Sequence, residues 1–293
     1  MSGDGLVIVD KPAGLSSHDV VSRVRRLAGT RRVGHAGTLD PMATGVLLVG
    51  VNKATRLLHH LVLSDKTYTG TIRLGVTTVT DDAAGAVVSE VDASELADER
   101  VRLGMAALTG EIEQVPSAVS AVKVDGRRAY ARVRAGEEVT LPARRVTVSR
   151  FDILAVRRGP PVLDVDVVVD CSSGTYVRAL ARDLGAALGV GGHLTVLRRT
   201  RVGPFNQAEA LTLDELGERT DPLMLPLAAA IERALPVRHL STDEARELSF
   251  GRPVPGVGID GTYGALAPDG VAVGLLRESG DRARPVLVFQ PAG

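Results

Sequence analysis

Twelve residues constrain this chain more than any others: Gly34-His35-Ala36-Gly37-Thr38-Leu39-Asp40-Pro41-Met42-Ala43-Thr44-Gly45, followed by the apolar run Val46-Leu47-Leu48-Val49-Gly50-Val51. Three glycines and a proline so close together cannot lie inside a helix, because glycine alone reaches positive φ cheaply and proline fixes its own. The stretch reads as a loop that delivers into a buried strand. It carries one carboxylate, Asp40, and one imidazole, His35, five residues earlier. An Asp-Pro turn and a solvated histidine are the plain reading of those two residues. A turn needs one or two glycines, however, and this loop places three around a single acid.

The rest of the composition narrows the classes. At 293 residues the chain can hold one large domain and a small one. No run of eighteen apolar residues occurs, and the N-terminus lacks the order of a signal peptide. One cysteine, Cys171, excludes an internal disulfide and fits a cytoplasmic location. The six histidines show no HExxH or HxxxH spacing, so zinc is not expected.

Net charge is zero, yet the charges are segregated. Residues 1–60 hold eight Lys/Arg against four Asp, residues 121–158 ten against four acids, and residues 171–205 five Arg against one Asp. Residues 81–113 invert this, with nine acids against two Arg. Three basic segments can line a groove for a polyanion if the fold converges them.

In order, the pattern predicts a strand at Leu6–Val9 and a helix capped by Ser16 or Ser17, with Val20, Val21, Val24 and Leu27 on its apolar face. After the central loop and its strand come a helix over 54–63, a strand over 68–75 and a polar loop over 77–85. A helix starting at Ser94 follows. Residues 118–140 are basic and weakly periodic, an excursion from the main domain. Two alternating strands (146–153 and 162–169), a helix opening at Tyr176 and a strand over 194–202 complete the large domain. Prolines 222, 226 and 236 mark a boundary, and a small β-rich segment ends the chain.

Several chemistries fail on inspection. Gly34-His35-Ala36-Gly37 matches a GxxG loop but is followed by an Asp-Pro turn and a strand, not a helix. Val7-Ile8-Val9-Asp10 lacks the second acid of a phosphotransferase strand, since Pro12 stands in its place. No GxxxxGK[ST] and no GxSxG occurs. What does match is a set of five separated motifs. Gly37-Thr38-Leu39-Asp40-Pro41-Met42-Ala43-Thr44-Gly45 resembles the catalytic signature of pseudouridine synthases. Val9-Asp10-Lys11-Pro12-Ala13-Gly14-Leu15-Ser16-Ser17, Asp65-Lys66-Thr67-Tyr68, Gly174-Thr175-Tyr176-Val177-Arg178 and Leu197-Arg198-Arg199 are similar, in order, to the bacterial TruB family. The resemblance runs from about residue 5 to 205.

That resemblance implies an α/β (α+β) pseudouridine synthase fold with a mixed, largely antiparallel sheet. A catalytic domain would span 1–235, with an RNA-gripping thumb at about 117–140, and a PUA-like RNA-binding domain would span 236–293. The implied reaction isomerises uridine-55 in the T-loop of tRNA. Asp40 would be the nucleophile, on C6 of the uracil or C1′ of the ribose. A carboxylate suits either, since it needs no deprotonation and can leave again. Arg178 would pair with Asp40 and hold it ionised. Tyr68 would stack on the flipped uracil and take part in proton transfer. Tyr176 and Leu197 would line the pocket, and His35 would fill the place of the extruded base. Arg127, Arg128, Arg132 and Arg134 in the thumb would meet RNA backbone. No nucleotide or metal cofactor is implied, and the expected partner is the T-arm stem-loop of tRNA, bound by a monomer. From residue type alone Arg178 reads as a surface arginine, Tyr68 and Tyr176 as packing residues and Leu197 as core.

Overall fold

The computed structural model describes residues 3–117, 123–124, 127–128 and 141–292. In chain order these form β1 (Gly5–Lys11), α1 (Ser17–Ala28), β2 (Val33–Ala36), β3 (Thr44–Val51), α2 (Leu58–Val62), β4 (Lys66–Leu74), β5 (Val76–Thr78), β6 (Val87–Glu90), α3 (Asp98–Ala107) and β7 (Gly110–Gln114). Next come β8 (Lys123–Val124), β9 (Arg127–Arg128), β10 (Arg144–Gly159), β11 (Val162–Cys171), α4 (Val177–Leu188), β12 (Gly192–Val202) and β13 (Phe205–Asn206). The chain ends with α5 (Leu213–Gly217), β14 (Leu225–Pro226), α6 (Leu227–Ala234), β15 (Val237–His239), α7 (Thr242–Ser249), β16 (Val254–Pro255), β17 (Thr262–Leu266), β18 (Ala272–Ser279) and β19 (Arg282–Val288).

These elements fall into two compact units, one of Met1–Pro41, Gly45–Val62 and Gly203–Gly293, the other of Met42–Thr44 and Leu63–Val202. In the first, β1 pairs antiparallel with β14 on one side and β3 on the other, and β3 continues to β2. Both β1 and β3 read as nearly unbroken apolar runs, as strands covered on both faces do. The cover comes from α1, packed on β2, and α6, packed on β1. Ser16 caps α1 in a capping box with Asp19, and Gly29 ends it in the left-handed region. A five-stranded sheet of order β15-β17-β18-β19-β16 closes the unit, with one parallel ladder between β15 and β17. Its core is Leu240, Leu248, Val254, Tyr263, Ala265, Val273, Leu276 and Ala283. Lys53 Nζ donates to Gln290 Oε1 at 2.9 Å and Arg56 donates to the Val288 carbonyl at 2.6 Å, tying the chain's end to the turn after β3.

The second unit is an antiparallel sheet of order β12-β4-β11-β10-β7. Strand β11 shows the period of two that its sequence predicts: Leu163, Val165, Val167, Val169 and Cys171 share one face, and all five are buried. Helix α4 packs on β12 and on α3. The contact is close at Gly185, where an added Cβ would stand 2.2 Å from backbone atoms of Gly191 and Gly192.

The expected α+β class with a largely antiparallel sheet is present. The segment 54–63 is shorter in helix than its pattern suggests: a 3₁₀ turn spans Asn52–Arg56 and α2 only Leu58–Val62. Ser94 does not open α3. Its N–H is taken by Asp92 Oδ1 at 2.8 Å in a local turn, and the helix begins at Asp98. Of the segment expected as a thumb, at about 117–140, Ser117 and the short antiparallel pair β8–β9 are described; Arg127 and Arg128 form β9, while Arg132 and Arg134 lie outside the described residues.

Gly185→Ala sets two effects against each other. Alanine is the better helix former by about 1 kcal/mol, but the backbone of residues 191–192 cannot move without breaking the start of β12. Overpacking of this kind costs about 1–3 kcal/mol and occasionally more. A lower urea midpoint for Gly185→Ala is expected; an unchanged or raised midpoint would show that α4 can shift away.

Candidate active site

The central loop joins β2 to β3, and the register Val33↔Val51 to Ala36↔Leu48 makes the two strands a hairpin. Gly37 (φ 73°) and Gly45 (φ 98°) hold the loop's two ends in conformations that side chains rarely adopt. Asp40 sits half-buried between Leu39 and Pro41, and both neighbours are held from outside the loop. The Ser17 hydroxyl, itself buried, accepts the Leu39 N–H at 2.9 Å and donates to the Leu39 carbonyl at 3.1 Å. The Pro41 carbonyl accepts the Gly14 N–H at 2.8 Å and the Lys11 ammonium at 3.3 Å.

Lys11 is 0% exposed. Its ammonium also donates to the carbonyls of Pro12 (2.9 Å) and Leu15 (2.7 Å), so each of its three donors has a backbone acceptor. The first motif of the sequence is thus the scaffold of the second. His35 lies on β2 opposite Val49, and its ring meets that of His18, on α1, edge-on with centroids 5.5 Å apart.

The second unit positions the other candidates. Tyr68 is buried on β4, opposite Arg199 of β12 and Val169 of β11. Leu197 stands opposite Gly70, where a Cβ would come within 2.7 Å of the Val196 carbonyl oxygen. By strand alternation Lys66 and Tyr68 share a face with their register partners Cys171, Val169 and Arg199, and all five side chains are buried. Burial pushes the Lys66 ammonium down to about 8, and Arg199 adds repulsion. Burial also pushes the Cys171 thiol up to about 11.

Tyr176 precedes α4. The Gln114 side chain clasps its backbone from both sides, accepting the N–H at 2.8 Å and donating to the carbonyl at 3.1 Å. The Arg144 guanidinium lies 5.9 Å from the centre of its ring. Arg178 is not the surface arginine its residue type suggests. It is 4% exposed, donates to the Thr80 carbonyl at 2.8 Å and lies 3.4 Å from a carboxylate oxygen of Asp82.

Asp82 is buried as well; its other carboxylate oxygen accepts from Thr80 Oγ1 at 2.6 Å and from the Ala84 N–H at 3.0 Å. Beside it, burial raises the Asp81 carboxyl above its usual range, while a hydrogen bond to Ser117 and the charge of Arg182 oppose the shift. The sequence pattern shows the 77–85 segment only as a polar loop. Its signal was the Asp81-Asp82 pair in a threonine-rich turn, which reads as solvated until burial is known. Among the described residues no group of three or more His, Cys, Asp or Glu could hold a metal ion. No helix there is long and apolar enough to cross a membrane.

Asp40 and His35 therefore share one hairpin of the first unit. Tyr68, Leu197, Tyr176 and Arg178 share the sheet and the helix start of the second.

Three family models match consecutive parts of the chain. They describe a TruB family pseudouridylate synthase N-terminal domain (residues 25–177), a tRNA pseudouridylate synthase B C-terminal domain (178–231) and a tRNA pseudouridine synthase II C-terminal region (235–290). A tRNA pseudouridine synthase B of Arthrobacter sp. (strain FB24) is 60% identical over 299 residues, covering 98% of this chain and 97% of that protein. Its counterpart in Nocardia farcinica (strain IFM 10152) is 59% identical over 289 residues, covering 99% and 94%. Among solved structures, one chain of a Cbf5-Nop10-Gar1 complex aligns with a TM-score of 0.76 at 26% identity, covering 98% of this chain and 85% of that one. One chain of an archaeal box H/ACA sRNP Nop10-Cbf5 complex aligns with a TM-score of 0.72 at 26% identity, covering 98% and 86%.

The buried Lys66 has a readable pH signature. Its value falls from 10.5 unfolded to about 8 folded. Between those values the unfolded chain holds the proton and the folded chain does not, so stability attributable to Lys66 rises with pH across that window. Below it the cost of the buried charge is present in full. Lys66→Met is expected to be the more stable protein below pH 8, with the gap closing towards pH 10. Urea midpoints at several pH values check this, with Cys171→Ala in both proteins because the thiol titrates in the opposite sense. A gap independent of pH would mean that Lys66 is solvated.

Proposed function

The chain belongs to the TruB family and is a tRNA pseudouridine synthase, an isomerase acting on tRNA uridine, and from that premise we propose that it isomerises uridine-55 in the T-loop. The observation that carries this reading is the Asp40 loop, whose acid is flanked by two residues pinned by buried groups. Such fixing suits a nucleophile, which must be held in a near-attack geometry.

In this reading Asp40 adds to C6 of the uracil or to C1′ of the ribose, the C1′–N1 bond breaks, and C1′ rejoins the base at C5. The aspartate then leaves as a carboxylate, the hydrogen of C5 departs as a proton, and N1 takes up a proton, so the product has the composition of the substrate. Nothing is oxidised and no water is consumed overall, so the scheme calls for neither nucleotide nor metal. The target base must leave the stack before Asp40 can reach it.

Tyr68 stacks on the extruded base and handles the proton, Tyr176 and Leu197 line its pocket, and His35 takes its place in the RNA. Arg178, fixed by Thr80 and Asp82, is the cation that keeps the reacting carboxylate ionised. We assign catalysis to residues 1–235, with RNA grip from the 117–140 thumb (Arg127, Arg128, Arg132, Arg134) and from 236–293. The partner is the T-arm stem-loop and the working species a monomer in the cytoplasm.

Asp40→Asn keeps size and hydrogen bonding but replaces the nucleophile with a neutral amide. Turnover, followed as tritium release from C5-labelled uridine in tRNA, is expected to vanish while tRNA affinity stays within a few-fold. Activity within tenfold of wild type would make Asp40 a turn residue after all. Mapping the modified position in the wild-type product tests the choice of uridine-55.

Tyr68 separates packing from chemistry. If only the ring matters, Tyr68→Phe is silent, and Tyr68→Leu loses about 1–3 kcal/mol of stacking. A proton role makes Tyr68→Phe alone cost roughly 10²-fold in kcat at unchanged affinity, and this is the expected result. Near-wild-type turnover in Tyr68→Phe together with an inactive His35→Ala would move the proton role to His35.

A further inference from the structure

Ten consecutive residues, from Arg23 to Arg32, carry five arginines, and all five are exposed. Arg23, Arg25 and Arg26 belong to the outer side of α1, whose inner side, Val20, Val21, Val24 and Ala28, is buried. Arg31 and Arg32 stand in the turn that leads into β2. Only Arg25 is used by the fold, donating to the Val33 carbonyl at 3.1 Å. The guanidinium groups of Arg23, Arg26, Arg31 and Arg32 make no hydrogen bond or ion pair with the described residues.

Several other arginines of this chain are matched to acids. Arg73 makes a two-pronged contact with Asp164, Arg157 with Asp166 and Arg233 with Glu209. On α1 the only carboxylate, Asp19, is consumed by the cap. On α5, which packs against α1, Glu215 is likewise held by the backbone N–H and hydroxyl of Thr212 at 2.8 Å. The other α5 acid, Asp214, and Glu218 just beyond it form no ion pair with the arginines. Four cations are thus kept close together with no carboxylate among the described residues hydrogen-bonded to any of them; Asp19, taken by the cap, attracts Arg23 without an ion pair. Arg23, Arg26, Leu27 and Leu213 further line an open cavity of about 410 Å³.

The position of this ridge matters as much as its charge. Arg32 directly precedes β2, and the far end of β2 opens the loop that holds Asp40. Four strand residues rise about 13 Å, and α1, whose first residue Ser17 holds Leu39, runs about 18 Å outward from the same loop. A polyanion seated with its target base at Asp40 therefore has phosphates within reach of the ridge, yet away from the reacting nucleotide. The guanidinium fork suits phosphate oxygens, which accept two parallel N–H bonds. A lipid surface fits poorly, because the apolar side of α1 is already spent on the protein's own core.

Resting on the reading of this chain as a tRNA-modifying enzyme, we propose that Arg23, Arg26, Arg31 and Arg32 form a second RNA contact. It grips the sugar-phosphate backbone of tRNA beyond the T-arm hairpin. The ridge carries no sequence information; it sets how much of the tRNA body the enzyme holds.

The test uses the full chain with all four arginines changed to glutamine (Arg23→Gln, Arg26→Gln, Arg31→Gln, Arg32→Gln), on two substrates. One is a full-length tRNA transcript, the other the isolated T-arm hairpin. The expected result is a rise of tenfold or more in KM and Kd for the full tRNA and less than about twofold for the hairpin. The slope of log K against log salt for the full tRNA should fall by about 2–4. Equal losses on both substrates would place the ridge against the loop region and overturn the proposal. No change on either would overturn it too, leaving the patch to an acidic protein partner or to solvent. If wild-type enzyme modifies neither substrate, the activity reading fails instead, and the Kd comparison still decides the ridge. All four positions are exposed, so an unchanged melting temperature shows that the variant is folded.

Discussion

One ammonium group underlies the candidate active site. Lys11 is sealed from water, and a buried charge without partners would be prohibitively costly. It is tolerated because three carbonyl oxygens converge on it, and one of them belongs to Pro41, the residue after Asp40. The need to satisfy that charge makes the turn after β1 and the loop before β3 a single object. Ser17 repeats the device on the other side of Asp40 with a neutral hydroxyl. Two remote segments of sequence meet because each supplies what the other leaves unsatisfied.

Charge counting along the sequence found the right class of partner for reasons that were only partly right. The basic segment 171–205 is the clearest case. Arg178 and Arg199 are buried, Arg182 answers Asp81 and Asp183, and Arg201 answers Asp170. In the segment 121–158, Arg150, Arg157 and Arg158 pair with Asp152, Asp166 and Asp98. A formal count cannot separate a cation spent on a carboxylate across a sheet from one left for a ligand. Of the three basic segments, the one around α1 keeps several exposed guanidinium groups close in sequence with no ion pair, among the residues described.

What was legible followed local physics. The glycines and proline of the central loop, the serine cap of α1 and the alternation of β10 and β11 are properties of a few adjacent residues, and each appears where expected. The elements that were missed depend on partners far away. β2 is four residues long with a glycine among them, and it is a strand because β3 offers it a ladder. Helix α6 hides behind a proline-marked boundary and is stabilised by packing on β1. The site divides the same way. Asp40 and the motifs around it were visible, but Asp82 became significant only when burial placed Arg178 beside it.

The Ser17 hydroxyl holds both the N–H and the carbonyl of Leu39, and Ser17 is also the first residue of α1. Fraying of that helix by one turn releases the residue in front of Asp40 at once. Order in the loop is therefore borrowed from a helix end, normally the least protected part of a helix. The Leu39 amide is no better protected from exchange than the first turn of α1. A single backbone hydrogen thus reports, in the resting protein, the fraction of time the carboxylate is not held in place.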